Sequence, residues 1–295
     1  MATVDSNVAE VDAVSGGDDV GDALHRPRIL PNPNVACMPV DRNSAYYNMN
    51  YKRRGMAIIF NHEKFDTHAL KQRNGTNVDR EKLKETLIDL GFQVTVHDDL
   101  KCKEITKIVE QVAGSDHSDC DCFLLAVLSH GEMGIIHARD NPYKPESLWK
   151  PFTADKCPTL AGKPKLFFLQ ACQGDKLDGG ITLQKRTEVD GGAMGYKIPT
   201  HADFLIVYST IPGFYSWRNT TNGSWFMQAL CCELEDKGTS VHILTLLTFV
   251  LQRVALDFES NTPGNIFMHQ KKQIPCINSM LTRLLQFTRK DVDKK

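Results

Sequence analysis

Apolar residues along the chain fall into short runs with two different spacings. Met56-Ala57-Ile58-Ile59-Phe60 is a continuous run of strand length. From Asp79 to Leu90 the apolar positions Leu83, Leu87 and Leu90 recur at helical intervals, and Gly91 follows as a stop. Phe92, Val94 and Val96 alternate with polar neighbours, which predicts a second strand. Ile105, Ile108, Val109 and Val112 mark a second helix. Phe123 to Leu128 and Leu166 to Gln170 have the character of buried strands. Strands and helices alternating in this way predict an α/β fold with a mostly parallel sheet.

Residues 175–197 carry Gly179-Gly180 and Gly191-Gly192 among many charges and read as a flexible linker. Beyond it, Phe204 to Tyr208 predicts a fifth strand. Helices are expected near Ser224–Glu235 and Val241–Phe258, then a late strand near Ile274–Ile277 and a short C-terminal helix or tail. Residues 1–45 are rich in Asp, Gly, Asn and Pro and are expected to be disordered, with order beginning near Gly55. No internal repeat and no folded recruitment domain is visible.

Composition narrows the class. With 295 residues, 41% of them hydrophobic, the chain can bury a sizeable core in one or two domains. A net charge of −1 gives no electrostatic support for nucleic acid or an anionic membrane, and neither is expected as a partner. There is no apolar leader, and Ile243 to Leu251 is far shorter than the ~20 residues of a spanning helix. Nine cysteines without a regular framework suggest reduced thiols and a cytoplasmic setting, in which the sequons at Asn74, Asn219 and Asn222 stay unmodified. Cys120, Cys122, Cys231 and Cys232 lack a complementary zinc-spaced set, so no metal and no cofactor are expected.

The candidate chemistry sits at two strand ends. The third predicted strand runs into Ser129-His130-Gly131 and the fourth into Gln170-Ala171-Cys172-Gln173-Gly174. If these strands are parallel neighbours, thiol and imidazole emerge on one rim, where open α/β sheets place their ligands. Backbone N–H groups past a strand end favour a thiolate, and a histidine within reach can take the thiol proton and return it to a leaving amine. Gly131 and Gly174 leave room for a substrate backbone, and the N–H groups of Gly131 and Cys172 are natural oxyanion donors. Taken singly, Cys172 is a structural thiol and His130 a strand-end histidine bonded to a carbonyl. Their joint placement argues for nucleophilic catalysis.

These residues resemble the caspases. Gln170–Gly174 fits that family's Gln-Ala-Cys-x-Gly motif, with His130 upstream. The likeness runs from about Met38 to Leu285 and includes Arg73-Asn74-Gly75-Thr76-Asn77-Val78-Asp79, Gly162-Lys163-Pro164-Lys165 and Tyr215-Ser216-Trp217-Arg218-Asn219. The resemblance implies a central, mostly parallel six-stranded sheet with helices on both faces, extended across a dimer of large/small subunit pairs. It implies cleavage after aspartate, with Arg73, Gln170 and Arg218 as the specificity pocket. Two guanidinium forks and an amide donor can saturate a carboxylate. Tyr215 and Trp217 match the aromatic walls for the second substrate residue, Ser216 between them is implied to bind substrate, and Asn219 and Trp225 match a fourth pocket that prefers a second Asp. Asn261-Thr262-Pro263-Gly264 departs from relatives with phenylalanines there, so no aromatic fifth subsite is expected.

Activation follows the same resemblance. Thr187-Glu188-Val189-Asp190 in the linker is a candidate cleavage site, splitting the chain into a large subunit, whose catalytic region is 55–190, and a small one (191–295). An upstream initiator caspase is the implied activator. Asp19-Val20-Gly21-Asp22 is a second site whose cleavage removes a propeptide, 1–22, leaving 23–54 as a flexible segment. The new Ala23 end resembles the motif bound by inhibitor-of-apoptosis proteins, although His25 departs from it. The short N-terminus favours an executioner protease acting on proteins with Asp-x-x-Asp sites. Two alternatives are an inactive adaptor of the same fold and a cysteine peptidase specific for Arg or Lys. The first should lack Cys172, His130 or a pocket arginine. The second should carry carboxylates where Arg73 and Arg218 stand.

Overall fold

The apolar runs become the strands of one sheet. In the computed structural model, which describes residue 36 and residues 38–180 and 199–290, β1 (Met56–Asn61), α1 (Thr76–Asp89), β2 (Gln93–Asp98), α2 (Cys102–Ala113) and β3 (Phe123–Leu128) follow in the expected alternation. A small antiparallel sheet of β4 (Gly131–Glu132), β5 (Ile135–His137) and β6 (Pro142–Tyr143), then the one-turn helix α3 (Glu146–Trp149), lead to β7 (Lys165–Gln170). Then come β8 (Phe204–Tyr208), the hairpin β9 (Arg218–Asn219) and β10 (Gly223–Ser224), helices α4 (Trp225–Lys237) and α5 (Ile243–Asp257), and β11 (Cys276–Ser279).

The six-stranded sheet has the order β11-β8-β7-β3-β1-β2. Five strands run parallel, and β11 pairs antiparallel with β8 at the edge. The period of two divides the core. Ala57, Ile59, Leu124, Ala126 and Phe168 face α1, α4 and α5 through Leu83, Leu87, Phe226, Leu230, Leu246 and Val250. Ile58, Phe60, Leu125, Val127 and Phe167 face α2 and α3 through Ile105, Val109, Leu148 and Trp149. β3 is covered on both sides, so its sequence is continuously apolar rather than alternating. Each large side chain so buried contributes about 1.5–3 kcal/mol.

Several expected boundaries move. α1 begins at Thr76, after Gly75 takes a left-handed conformation (φ 86°), and in its first turn Asp79 points inward to accept from the N–H and hydroxyl of Ser224. β11 starts after Pro275, which has no N–H for the ladder. Within the segment expected to be flexible, 45–54 is packed chain. Tyr47 and Met49 are buried, and Tyr47 Oη donates to Asp203 at 2.8 Å. The start of the expected linker is also held, with Lys176 bridging Phe214 and Asp178 bridging Lys272. After β11 the chain forms a non-helical tail that buries Leu285 and Phe287. Asp22, Ala23 and Asp190 lie outside the described residues.

Candidate active site

The register of β3 and β7 pairs Leu128 with Gln170. His130 and Cys172 therefore stand at equal offsets past the ends of adjacent parallel strands, and both line one cleft of about 140 Å³. The ladder extends one step further, from Ser129 N–H to the Gln170 carbonyl. Gly131 then turns the chain close against the neighbouring loop. A Cβ there would lie 2.7 Å from the Cys172 carbonyl oxygen, and one on Gly174 (φ 149°) would lie 2.4 Å from Gly213. These glycines are required by the approach of the protein's own loops, which refines the expectation that they make room for substrate.

The His130 ring is fixed from two sides. Its Nε2 lies 2.7 Å from the Lys71 carbonyl, and the Phe65 ring packs at a centroid distance of 5.0 Å. A carbonyl only accepts, so Nε2 carries the proton and Nδ1 keeps the basic lone pair. Burial, reinforced by Arg73 and Arg218, pushes the imidazole down to about 4. The ring is neutral at neutral pH and free to act as a base.

Cys172 is less activated than its position past a strand end suggests. No helix follows it, and a single N–H, that of Ser216, donates to Sγ at 3.3 Å. The Ser216 carbonyl lies 3.8 Å from the same sulfur. Burial pushes the thiol up, against the pull of the Ser216 N–H, Arg73 and Arg218. Among the described residues the thiol's hydrogen bonds run to Ser216 rather than to His130. The pair is a neutral thiol beside a neutral imidazole.

Three polar side chains converge next to the thiol. Arg73 is 1% exposed and donates through Nη1 to the His62 carbonyl and Thr76 Oγ1, while its Nε has no partner. Gln170 donates to Ser216 Oγ at 2.9 Å, and its Oε1 is unpartnered. Arg218 donates through Nε to the Asn74 carbonyl. Neither arginine has an ion-pair partner among the described residues. Asp79, close enough to be felt by both, spends its oxygens on Ser224. Burial, then Arg218, pushes Arg73 down to about 9. A buried cation with an idle N–H beside a half-buried one forms a receptor for an anion.

Aromatic rings line the way outward. Tyr215 meets Trp217 edge-on at 5.1 Å, Trp217 stacks on Trp225 at 5.6 Å, and Trp225 stacks on Phe258 at 5.5 Å. Asn219 is spent on its own turn, where Oδ1 accepts from the N–H groups of Thr221 and Asn222. The structure thus gathers Cys172, His130, Arg73, Gln170, Arg218, Tyr215, Ser216 and Trp217 around one cleft, with Trp225 behind Trp217. Sequence reasoning missed Phe65, Phe258, Gln273 and the Lys71 carbonyl. Phe65 is a lone aromatic in a polar stretch and Phe258 closes an apolar helix, so neither stands out, and a main-chain carbonyl leaves no signal in residue type.

Comparison with known proteins places this architecture. A family profile described as the caspase domain matches residues 54–286. Caspase-1 of Spodoptera frugiperda is 64% identical over 288 residues, 96% of each chain. Caspase drICE of Drosophila melanogaster is 62% identical over 261 residues, covering 88% of this chain and 77% of its own. The crystal structure of Caspase-1 from Spodoptera frugiperda matches with a TM-score of 0.82 at 66% identity, covering 87% of this chain and 100% of that one. With a matched domain that spans most of the fold and relatives this similar, the chain belongs to the caspase family, cysteine proteases that cut after aspartate, and is of the executioner type.

Proposed function

We propose that Cys172 is the nucleophile and His130 its base, with Arg73, Gln170 and Arg218 receiving the substrate aspartate. His130 Nδ1 takes the thiol proton as Sγ attacks the carbonyl carbon after the aspartate. The oxyanion is held by the N–H groups of Gly131 and Cys172. His130 then protonates the leaving amine, and water hydrolyses the thioester. Ser216 receives the substrate main chain through its carbonyl. Tyr215 and Trp217 wall the second pocket, and Trp225 with Asn219 the fourth. The observation that carries this is a buried Arg73 with an idle Nε and a half-buried Arg218, neither with an ion-pair partner among the described residues, beside a thiol–imidazole pair in one cleft. The test compares turnover of Asp-Glu-Val-Asp peptides with matched Asp→Asn and Asp→Lys peptides, Cys172→Ala serving as control. A buried hydrogen-bonding pocket should discriminate by about 10⁴ or more, and equal turnover of the Asn peptide overturns the pocket assignment.

The family implies protein substrates and dimeric subunit assembly. We further propose that the zymogen is cut after Asp190 by an upstream initiator caspase, giving a large subunit, whose catalytic region (55–190) holds Cys172 and His130, and a small one (191–295) with Arg218. β11, at the sheet edge, is the proposed two-fold contact. Self-cleavage after Asp22 removes 1–22, and the exposed Ala23 end is offered to inhibitor-of-apoptosis proteins. The proposed compartment is the cytoplasm. No helix among the described residues is long and apolar enough to cross a membrane. Mass analysis tests the scheme: a fully active enzyme still intact at Asp190 would sink it, and inhibitor affinity unchanged by Ala23→Gly would remove the role of that end.

A further inference from the structure

Gln273 is 3% exposed and lies between the substrate-binding segment and the end of the sheet. Its Oε1 accepts from Trp217 N–H at 2.6 Å, and its Nε2 donates to the Ser209 carbonyl at 2.6 Å. One partner can only donate and the other only accept, so the amide has a single workable orientation, and neither a carboxylate nor an amine can replace it. Its own backbone is anchored at the preceding residue. Lys272 N–H donates to the Asp178 carbonyl, and Lys272 Nζ donates to the Phe258 carbonyl at 2.7 Å.

The bond to Trp217 N–H has a consequence one atom away. In a planar trans peptide the N–H and the preceding C=O point in opposite directions. Anchoring Trp217 N–H on Gln273 therefore turns the Ser216 C=O the other way, toward the thiol, where its oxygen lies 3.8 Å from Cys172 Sγ. The Trp217 carbonyl is also turned inward, to Trp225 N–H. Trp217 thus spends both main-chain groups on the protein, while Ser216 presents both of its own to the cleft.

We propose that Gln273 is a positioning residue, setting the plane of the Ser216–Trp217 peptide so that the Ser216 carbonyl accepts the N–H of the aspartate whose bond is cut. The proposal rests on the assignment of Cys172 and the arginine pocket given above. It assigns Gln273 no contact with substrate and no proton transfer.

The test uses the processed enzyme with an Asp-Glu-Val-Asp amide substrate and its depsipeptide analogue, in which an ester oxygen replaces the N–H of the final Asp. In the wild type the ester should cost about tenfold or more in kcat/KM, the loss of one hydrogen bond to a desolvated carbonyl. Gln273→Met keeps the volume but removes both bonds. With the amide substrate it should lose about tenfold, mainly in KM, and its ester penalty should shrink to about threefold or less. Gln273→Glu supplies a second readout. Its carboxylate can accept from Trp217 but repels the Ser209 carbonyl, whereas the protonated form restores both bonds. The ratio of its kcat/KM to that of the wild type should therefore rise severalfold from about pH 8 to about pH 6.

An ester penalty equal in wild type and Gln273→Met overturns the proposal, as does a wild type indifferent to the ester. Should Gln273→Met be unfolded at the assay temperature, the Gln273→Glu ratio decides alone, and a flat ratio overturns the proposal. The underlying site assignment is judged separately in the same assay. If the wild type still selects Asp over Asn and Cys172→Ala is inactive, that assignment stands whatever Gln273 does.

Discussion

Two buried arginines divide this molecule into a part that holds itself together and a part that waits for something else. Arg54 and Arg73 are each 1% exposed. Arg54 is saturated. It pairs with Asp121 at 2.8 Å, donates to the carbonyls of Leu90 and Thr288, and lies over the Phe287 ring. Burial pushes the Asp121 carboxyl up, but Lys290, Arg54 and the Tyr51 N–H all donate to it, and that donor set requires the carboxylate form. Arg73 also meets a carbonyl and a hydroxyl, yet pairs with no carboxylate, and the charge that weighs most on it is another cation, Arg218, ahead of Asp79. Equal burial with opposite satisfaction separates a structural charge from a binding one. The chain offsets the desolvation in the first case and leaves it open in the second, as the proposed aspartate pocket requires.

The largest expected effect tests the second member of that pair. Arg73→Met should lower kcat/KM on aspartate peptides by about 10³-fold or more, since the substrate carboxylate is left buried and half-paired. Its thermal midpoint should change little, because relief of an unpaired buried cation offsets the two lost hydrogen bonds. A large fall in midpoint would mean that Arg73 is structural after all. Arg54→Met should do the reverse. Breaking its buried pair leaves Asp121 to Lys290 and the Tyr51 N–H alone and orphans the Leu90 and Thr288 carbonyls. This should cost about 3 kcal/mol, seen in thermal melts as a fall of roughly 6–12 °C for a chain of this size. Turnover per folded molecule should persist.

A third measurement joins the two. A reversible aspartyl inhibitor at about 100 times its Kd should stabilise the wild type by about 2.7 kcal/mol and Arg54→Met by a similar amount. It should leave Arg73→Met unmoved at the same concentration. The smallest effect concerns pH. His130 has a folded pKa of about 4 against an ordinary 6.5, and its neutral form is the base. The acid limb of kcat/KM should therefore fall as pH drops through about 4 rather than through 6.5. Phe65→Ala, which lets water reach the ring, should move that limb toward 6.5. The unfolded chain binds more protons between those values, so stability contributed by the buried neutral ring is present above 6.5 and lost as pH falls toward 4.

Much of this was legible in residue order. β1, β3, β7 and β8 announce themselves as apolar runs, and α1 and α2 by helical spacing. The strand-end placement of His130 and Cys172 needed only the assumption, met by the β3–β7 register, that the two strands are parallel neighbours. Errors fell where local composition and tertiary contact disagree. Residues 45–54 are polar enough to read as loose, but Tyr47 finds Asp203, distant in sequence, and Arg54 finds Asp121. The turn that Asn219 Oδ1 closes with the N–H groups of Thr221 and Asn222 is likewise decided by backbone geometry and not by residue type.

What the sequence determined by itself was the sheet and the placement of a thiol and an imidazole past two of its strand ends, because strand periodicity and a short motif are both local. What only the tertiary structure decided was their state. The imidazole's tautomer is set by the Lys71 carbonyl, the thiol's neutrality by burial, and the direction of the Ser216 carbonyl by the amide of Gln273. Each depends on a group far away in sequence that acts through hydrogen-bond direction or loss of water. Residue order records neither until the chain has folded.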